Sequence, residues 1–515
     1  MHPFTRALSL SLVFTVSSLA ASCATSTTEK KDTKRDTKKD APPAPPLPVV
    51  SPIVDPADPP PVAMAPPVLL VGAKVFTQAG ETFDEGYVLV EKGHIAAVAK
   101  GAPPTAMREA PGLVVVDAKG KFITPGIIDT HSHMGVYPFP GAMAHNDGNE
   151  MTNPVTSEVW AEHSFWPQDP ALERALAGGV TTIQVLPGSA NLIGGRSFVA
   201  KMHLGKASAR EMRFAGAPQG LKMACGENPK RVYASRGPST RMGNVAGLRA
   251  AFQKAHEYRR RWQKYERDLA HFETKRARAK DDVEKNKVGD PPEPPSRDFQ
   301  SETLMGVLDG KILVHNHCYR ADEMAIMLDL AEQYGFHIRS FHHALEAYKI
   351  RDRLAKSETA TSTWADWWGF KLEAYDGIPE NAAMLHEAGA RAIIHSDSST
   401  DVRRLNQEAA KALAAGRALG VQLTDEDALS WITTNPAWAL GVHEHTGSIA
   451  VGKMADLVVW DAHPLSVYAR PERVFVDGHA AFVRDDDARF SSSDYETGTT
   501  PGAATTAKPE TGGAR

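Results

Sequence analysis

Short runs of apolar residues, separated by glycine-containing turns, begin near Val68 and return near the other end of the chain. The first set is LLVGAKVFT, GYVLVEKGHIAAVAKG and GLVVVDAKGKFI, and the second is GSIAVGKMADLVVWD, PERVFVDGH and AAFVRDD. This rhythm is typical of strands joined by tight turns. The pattern therefore predicts that residues 68–124 and 446–485 pair into one small β-sandwich, with the middle of the chain inserted between them.

Between these ends, β-type runs alternate with segments of helical length. The runs are VTTIQVL, MRFAGA, KILVHNH, HIRSF and RAIIHSD, and the helical segments include ADEMAIMLDLAEQYG and NQEAAKALAAGRALG. Such alternation predicts a parallel sheet covered by helices. Residues 125–445 suit a closed (β/α)8 barrel of the TIM type better than an open sheet. The predicted fold class is thus α/β, a barrel with a small β-sandwich.

One segment does not follow this rhythm. Residues 249–287 are dense in charged helix formers, and PPEPP ends the run. Because charge runs usually mark solvated faces, we interpret residues 249–300 as a charged helical insertion in the barrel. A partner-binding element is the alternative interpretation.

Both termini are expected to lie outside the folded part. Residues 1–23 have a basic start, an apolar stretch and small residues before Cys23, which is a signal-peptide layout and resembles a bacterial lipoprotein lipobox. Residues 24–67 are charged and then proline-rich, so they predict a disordered tether, and residues 486–515 predict a disordered tail. The resemblance implies lipidation of Cys23 and an exported protein, an outer-membrane lipoprotein facing the periplasm; a plain secreted protein is the alternative.

The composition of the chain excludes several classes of protein. The chain has 515 residues with 58 basic and 62 acidic side chains, a net charge of −4, and three cysteines. Interleaved charge argues against nucleic-acid binding, and so few cysteines exclude a disulfide scaffold. Beyond the N-terminus no apolar run is long enough to span a membrane, so membrane contact is expected only through the lipid anchor. Metal chemistry would therefore depend on histidines and carboxylates.

Candidate metal ligands follow several of the β-type runs. His131 and His133 lie two residues apart after an apolar strand, so strand alternation directs both to one face. His317, His343 and Asp397 each end another run, where a parallel barrel presents its active site. Nitrogen and carboxylate ligands from four strands predict a site for one or two divalent metal ions, with zinc as the expected metal.

Several motifs carry a family resemblance from about Val68 to Val483. They are PGIIDTHSH, AGGVTTIQVLPGSANLIGG, GENPKR, TTNPAWALGVHEHTGSIAVGKMADLVVW and VDG. The sequence resembles the amidohydrolase superfamily, in particular its secreted imidazolonepropionase-like and prolidase-like branch. The resemblance implies a metal-dependent (β/α)8 barrel with an appended β-sandwich. It also implies the roles of the five ligands just named: two from the first strand and one each from the fifth, sixth and eighth.

The ligand that bridges two metals in this family has two candidates here. It is often a carboxylated lysine after the fourth strand, and GLKMACGENPKR offers Lys222 in that register and Glu227 five residues later. Because glutamate needs no added carbon dioxide, the sequence slightly favours Glu227. Cys225 and Cys318 lie beside these candidates and are expected to be small buried packing residues, with thiolate ligation and a disulfide left open.

The ligand set predicts a mechanism. A divalent metal lowers the pKa of bound water and polarises a carbonyl. Asp397 is expected to accept the proton of the attacking water and return it to the leaving nitrogen, and His343 or a neighbour to stabilise the oxyanion.

Substrate-binding residues are harder to place. The Gly-rich LPGSANLIGGRS predicts a turn that faces an anion, with Arg196 nearby, although a tight strand connection fits it equally. The segment WADWWGFKLEAYD offers Trp368, Lys371 and Glu373 for a peptide-like ligand, with helix packing as the alternative.

The resulting hypothesis is a metal-dependent hydrolase of C–N bonds in small amides, cyclic amides or dipeptides. A metal-dependent deaminase and a non-catalytic ligand-binding lipoprotein on the same fold are the alternatives. The sequence leaves open the substrate, the number of metal ions, and whether the chain forms a homo-oligomer.

Overall fold

A computed structural model describes residues 56–484. The predicted signal peptide with Cys23, most of the tether and the predicted tail 486–515 lie outside the described residues. Residues 56–67 form no helix or strand, and Arg210 and His479 donate hydrogen bonds to backbone carbonyls of this segment. In the described part of the chain, no helix is both long and apolar enough to cross a membrane.

The strands fall into three consecutive groups along the described chain. The first group is β1 (Val68–Phe76), β2 (Thr82–Glu91), β3 (His94–Lys100), β4 (Val114–Asp117) and β5 (Phe122–Pro125). The second is β6 (Ile127–Ser132), β7 (Val180–Val185), β8 (Ile193–Lys201), β9 (Gly220–Ala224), β10 (Leu313–Cys318), β11 (Ile338–His343), β12 (Ala360–Thr363) and β13 (Ala392–Ile394). The third is β14 (Leu457–Trp460), β15 (Pro471–Val476) and β16 (His479–Val483).

The helices lie mostly between the barrel strands. They are α1 (Thr105–Arg108), α2 (Pro170–Ala177), α3 (Ala209–Met212), α4 (Glu227–Val232), α5 (Arg241–Arg278), α6 (Asp282–Lys287), α7 (Phe299–Leu308), α8 (Ala321–Tyr334), α9 (Arg351–Lys356), α10 (Asn381–Glu387), α11 (Leu405–Leu419), α12 (Asp425–Ser430) and α13 (Thr434–Ala439). Short 3-10 turns add Met143–His145, Ala161–His163, Ala347–Ile350, Leu372–Ala374 and Val402–Arg404.

The first and third groups of strands form one sheet, which confirms that the two ends of the folded region pair. The strand order is β16-β15-β14-β5-β1-β2-β3, and β4 pairs with β1. At the junction of the two halves, β5 and β14 run antiparallel, with Ile123 opposite Val459. Their apolar faces share a core that includes Val75, Leu457 and Phe475. Burial of this face against water is what holds the two halves together.

The second group forms the predicted eight-stranded barrel, with one departure from a regular (β/α)8 pattern. Strands β6 to β13 are neighbours in sequence order and run parallel, except that β8 is antiparallel to both β7 and β9. Between β13 and β6, the backbone carbonyls of Trp431 and Ile432 accept hydrogen bonds from Ile394 and Ile128. Residues 431 and 432 thus supply hydrogen-bond acceptors for N–H groups of β13 and β6, which do not pair directly with each other.

The charged insertion is dominated by α5, a helix of 38 residues. Up to residue 262 it buries one face, with Leu248 and Phe252 in the main hydrophobic core and Trp262 against Met305 of α7, whereas residues 263–278 are exposed or half-buried. The Tyr258 hydroxyl donates a hydrogen bond to Glu302 of α7. The apolar stripe up to residue 262 thus fixes the helix, and the charged remainder faces solvent.

An ionic network joins the barrel to the small sheet. Lys201 of β8 is buried, and its Nζ lies 2.7 Å from both Asp456 Oδ2 and Asp477 Oδ1. His203 Nε2 lies 2.7 Å from the other oxygen of Asp477. Burial raises the pKa of Asp477, but the hydrogen bonds and charges of His203 and Lys201 outweigh it and hold this pKa below its usual range. The junction is therefore stabilised by ionised Asp477.

Candidate metal centre

Three donor atoms converge at the carboxyl ends of β6 and β13. His131 lies within β6, and His133 follows the strand by one residue. Nε2 of His131 lies 3.3 Å from Nε2 of His133, and these two atoms lie 3.6 and 3.5 Å from Oδ1 of Asp397. Such spacing allows one ion to contact all three atoms.

A second group adjoins the first on the side of β9, β10 and β11. The rings of His317 and His343 have centroids 4.5 Å apart, and His343 Nδ1 lies 3.9 Å from Oδ2 of Asp397. Lys222 of β9 brings its Nζ to 3.5 Å from His131 Nε2. The two oxygens of Asp397 therefore face two groups of candidate ligands.

The backbone is left-handed at two of these positions. His343 has φ 70° and Asp397 has φ 51°, a region that non-glycine residues rarely adopt. The strain is held by hydrogen bonds, since the Asp397 N–H donates to the His131 carbonyl at 3.1 Å and the His343 N–H to His395 Nε2 at 3.2 Å. Backbone strain maintained in this way is typical of functional sites.

Burial sets the protonation of the cluster. It lowers the pKa of the imidazoles of His131, His317 and His343 well below the usual value, so these rings are neutral and keep a free lone pair. Burial also lowers the pKa of the Lys222 ammonium and raises that of the Asp397 carboxyl. A cluster of neutral imidazoles next to a carboxylate has the character of a cation-binding site.

The residues present fit a divalent metal ion. Nδ1 of His343 is buried without a hydrogen-bond partner among the described residues. Single atoms of His131, His133 and Asp397 lie within 4.8 Å of one another, as do those of His131, His343 and His395. Imidazole and carboxylate donors suit zinc and its neighbours in the first transition series.

Of the two candidates for the bridging ligand, Lys222 contacts this cluster, through His131, whereas the contacts of Glu227 are with Lys371 and Glu373. Lys222 is fully buried in β9 and donates to the carbonyl of Pro187 at 3.2 Å. After β9, Gly226 adopts φ 81° and the chain turns into α4, which begins with Glu227. The Glu227 carboxylate lies 3.6 Å from Lys371 Nζ, and its side chain is 32% exposed.

Arg196, which the sequence predicts to lie near an anion, makes its polar contacts with other side chains of the protein. It belongs to β8, is 3% exposed, and donates to Thr303 Oγ1 and Gln219 Oε1. Its guanidinium also lies 4.7 Å from the Trp160 ring centroid. The Gly-rich segment that precedes Arg196 leads into β8. The contacts of Arg196 link this strand to neighbouring parts of the protein.

The loop after β12 brings Lys371 and Glu373 to the mouth. Lys371 Nζ lies 4.0 Å from the Tyr319 ring centroid and 3.1 Å from Glu373 Oε2. The Tyr319 ring also stacks on the candidate ligand His343, with centroids 5.1 Å apart. Lys371 and Glu373 therefore lie close to the candidate ligands. Trp368 is 57% exposed and contacts Tyr375 at the rim.

Sequence reasoning missed several side chains of the site. His395 lies two residues before Asp397, so the same alternation that identified His131 and His133 could have found it. Ser189 Oγ lies 2.9 Å from His317 Nδ1, and His342 Nδ1 lies 2.8 Å from His131 Nδ1. Ser189 carries no signal in the sequence, because it reaches the site through the connection between β7 and β8.

Cys225 and Cys318 are buried in the hydrophobic core, as expected, and they form a disulfide, the alternative that the sequence left open. Their Cα atoms are 5.3 Å apart, and the bond joins positions separated by 93 residues. Cys318 follows His317 directly, and the Cys225 N–H donates to the His317 carbonyl at 2.9 Å. The bond therefore ties together the strand ends that carry Lys222 and His317.

The sequence model of the amidohydrolase family matches residues 122–488. The amidohydrolase tasK of Hapsidospora irregularis is 35% identical over 412 residues, which is 77% of this chain and 40% of that protein. The 5-methylthioadenosine/S-adenosylhomocysteine deaminase of Shouchella clausii (strain KSM-K16) is 31% identical over 108 residues, 21% of this chain and 22% of that one. The chain thus spans less than half of the length of these curated relatives.

One similar protein has a solved structure that aligns over its whole length. The crystal structure of an amidohydrolase from Thermotoga maritima MSB8 has 36% sequence identity and a TM-score of 0.68. The alignment covers 81% of this chain and 100% of that one.

Proposed function

The chain belongs to the amidohydrolase family, and from this premise we propose that it is a metal-dependent hydrolase of C–N bonds in small amides, cyclic amides or dipeptides. The observation that carries the proposal is the convergence of His131 Nε2, His133 Nε2 and Asp397 Oδ1 to within 3.6 Å of one another. A site of this kind suits hydrolysis, in which water must be activated and a carbonyl polarised.

The ligand geometry suggests how one or two ions would be held. His131, His133 and Asp397 would bind one ion, and His317 and His343 a second, with zinc as the expected metal. When bound, the metal supplies a Lewis acid that lowers the pKa of water and polarises the substrate carbonyl. Lys222 Nζ lies 3.5 Å from His131 Nε2. Its neutral amine can attack carbon dioxide and lose one proton, and the resulting carbamate would provide the anion that two neighbouring cations require.

Asp397 is proposed to carry the proton during the reaction. Its side chain is 25% exposed and lies at the edge of both ligand groups. Burial raises the pKa of its carboxyl, so the group can accept a proton from the attacking water and donate it to the leaving nitrogen. The His343 ring packs against Tyr319 and Trp364, with ring centroids 5.1 and 4.5 Å away, and His343 is the candidate for stabilising the oxyanion.

The mouth supports a peptide-like substrate with an apolar side chain. The loop after β12 exposes a set of large hydrophobic side chains: Trp367, Trp368, Phe370, Leu372 and Tyr375. Exposed apolar patches of this kind mark binding surfaces. Lys371 and Glu373, set among them, offer one positive and one negative group to the ends of a short peptide.

The cellular location follows from the same proposal. The lipobox-like sequence at Cys23 and the proline-rich tether support an exported lipoprotein. The Cys225–Cys318 disulfide supports an oxidising compartment, since disulfides persist mainly outside the cytosol. We therefore propose an outer-membrane lipoprotein that faces the periplasm and contacts the membrane only through its lipid.

The function is tested by metal analysis of the purified chain, coupled to a hydrolysis screen over dipeptides and cyclic amides that includes deamination substrates. One or two equivalents of zinc-like metal and release of an amine product are expected. The His131→Ala variant should lose both metal and activity, and Phe370→Ala should lower kcat/KM for substrates with apolar side chains without changing metal content. An active wild-type preparation that holds no metal would contradict the proposal.

A further inference from the structure

Three buried imidazoles form a hydrogen-bonded chain beneath the metal centre. His131 Nδ1 lies 2.8 Å from His342 Nδ1, and His342 Nε2 lies 3.0 Å from His315 Nδ1. All three residues have no solvent exposure. At the far end, His315 Nε2 has no hydrogen-bond partner among the described residues. The chain thus begins at a candidate ligand and ends inside the barrel.

The number of protons in this chain is fixed by burial. A charged imidazole is costly in an apolar interior, so each ring is neutral and carries one N–H. Each of the two ring-to-ring contacts needs one donor and one acceptor. The position of the proton on one ring therefore determines its position on the other two.

Only two arrangements satisfy both contacts. In the first, the His131 Nδ1–H donates to His342, and the His342 Nε2–H donates to His315 Nδ1. The His131 Nε2 then has a free lone pair that faces Asp397 and His133. In the second, both hydrogen bonds are reversed, and the His131 Nε2 carries a proton that blocks metal binding.

We propose that His342 and His315 are positioning residues that supply the hydrogen-bond acceptors required by the metal-binding tautomer of His131. The proposal rests on the function proposed above. A histidine ligand commonly donates its second N–H to a carbonyl or a carboxylate, which can only accept. Here the acceptor is a second imidazole, which must itself donate to a third ring. The affinity of the metal centre therefore depends on His315, whose ring hydrogen-bonds to His342 and not to His131.

Zn²⁺ affinity of the full chain is the quantity to measure, by competition with a chelator of known affinity after removal of metal. The His342→Phe variant keeps a planar ring but offers no acceptor to the His131 N–H, and its Zn²⁺ affinity should fall about 10- to 100-fold. His342→Gln can accept from His131 and donate to His315, so it should stay within about threefold of the wild type. His315→Phe should weaken Zn²⁺ binding by about tenfold, since it leaves the His342 N–H without an acceptor.

Phe341→Leu provides the matched control. Phe341 is buried in the same strand as His342 and belongs to the hydrophobic core outside the imidazole chain. This variant should lower the Tm of the metal-free protein without changing Zn²⁺ affinity. The His342→Gln rescue and the His315→Phe variant keep the test decisive if His342→Phe fails to fold.

Two results would overturn the inference. If wild type binds Zn²⁺ and His342→Phe or His315→Phe binds it equally tightly, the imidazole chain does not position His131, while the proposed function is unaffected. If Phe341→Leu lowers Zn²⁺ affinity as much as these variants do, the effect is one of packing. A wild-type chain that binds no Zn²⁺ would overturn the proposed function and this inference together.

Discussion

Removal of the Cys225–Cys318 disulfide should destabilise the protein chiefly through its unfolded state. The bond closes a loop of 93 residues, and loop-closure entropy for that length corresponds to about 4.6 kcal/mol at 25 °C. An entropy of unfolding of about 2.1 cal/mol/K per residue, over the roughly 430 described residues, gives about 0.9 kcal/mol/K. The double variant Cys225→Ala/Cys318→Ala should therefore have a Tm about 5 °C below that of the wild type.

Calorimetry of both proteins, with and without a thiol reductant, measures this difference. The reductant should lower the Tm of the wild type and leave the double variant unchanged. Metal content at 25 °C should be the same in both proteins, because the Cys225 N–H still donates to the His317 carbonyl and keeps the two strand ends paired. Peptide mapping of the wild type should find both cysteines unreactive until the reductant is added.

Two outcomes would refute this reasoning. A double variant with a Tm within about 1 °C of the wild type would show that the unfolded chain gains little freedom when the bond is removed. A fall in Tm accompanied by loss of metal would show that the disulfide acts on the native site rather than on the unfolded chain.

Four further predictions concern the site, the anchor and the sheet junction. Asp397→Asn should keep most of its metal but lose at least about 100-fold in turnover, because an amide can ligate but cannot take a proton; metal analysis with rate measurements checks this, and an active variant would exclude the acid–base role. Lys222→Met should lower metal content and rate while Glu227→Gln leaves metal content near the wild-type value, and bicarbonate should aid reconstitution of the wild type; the reverse pattern would restore Glu227 as the bridge. Cys23→Ser should abolish membrane association without changing the turnover of the soluble form, and unchanged fractionation would exclude lipidation. The pKa of Asp477 is lower in the folded state than its unfolded value of about 3.9, so the ionised carboxylate stabilises the fold at higher pH and this stabilisation is lost as the pH falls. Between about pH 5 and about pH 3 the wild-type Tm should therefore fall further than that of Asp477→Asn. Equal falls would show that the junction does not depend on this charge.

The sequence predicted the parts of the fold that follow regular alternation. The barrel, the sheet built from both ends and the strands carrying His317 and His343 all have apolar runs bounded by turns. Strand β8 has no such pattern, because Gly194 and Gly195 suggest a turn. The glycines are needed for a close approach: a Cβ at Gly195 would lie 2.5 Å from the Val159 carbonyl oxygen. Such an approach between distant segments is not visible in a linear pattern.

For the candidate site, the sequence predicted the ligands at strand ends but did not decide between Lys222 and Glu227. His131, His133 and Asp397 were placed by their positions at strand ends, where spacing alone directs the side chains. The choice between Lys222 and Glu227 depended on where β9 stops, and that is decided by the left-handed turn at Gly226. Element boundaries are the least certain part of such predictions, and a shift of a few residues exchanges an inward lysine for a rim glutamate.

The small sheet also determines how late in synthesis the protein can complete its fold. The Trp460 indole donates a hydrogen bond to Thr124, 336 positions earlier in the chain, across the seam between β14 and β5. At a synthesis rate of about 5–20 residues per second, the amino-terminal half-sheet waits roughly 20–70 s for its partner strands. During that time its apolar face and unpaired edge are open to aggregation. A chain that ends before residue 457 lacks β14 and cannot pair it with β5. Only a chain that includes the last strands can therefore reach the native state.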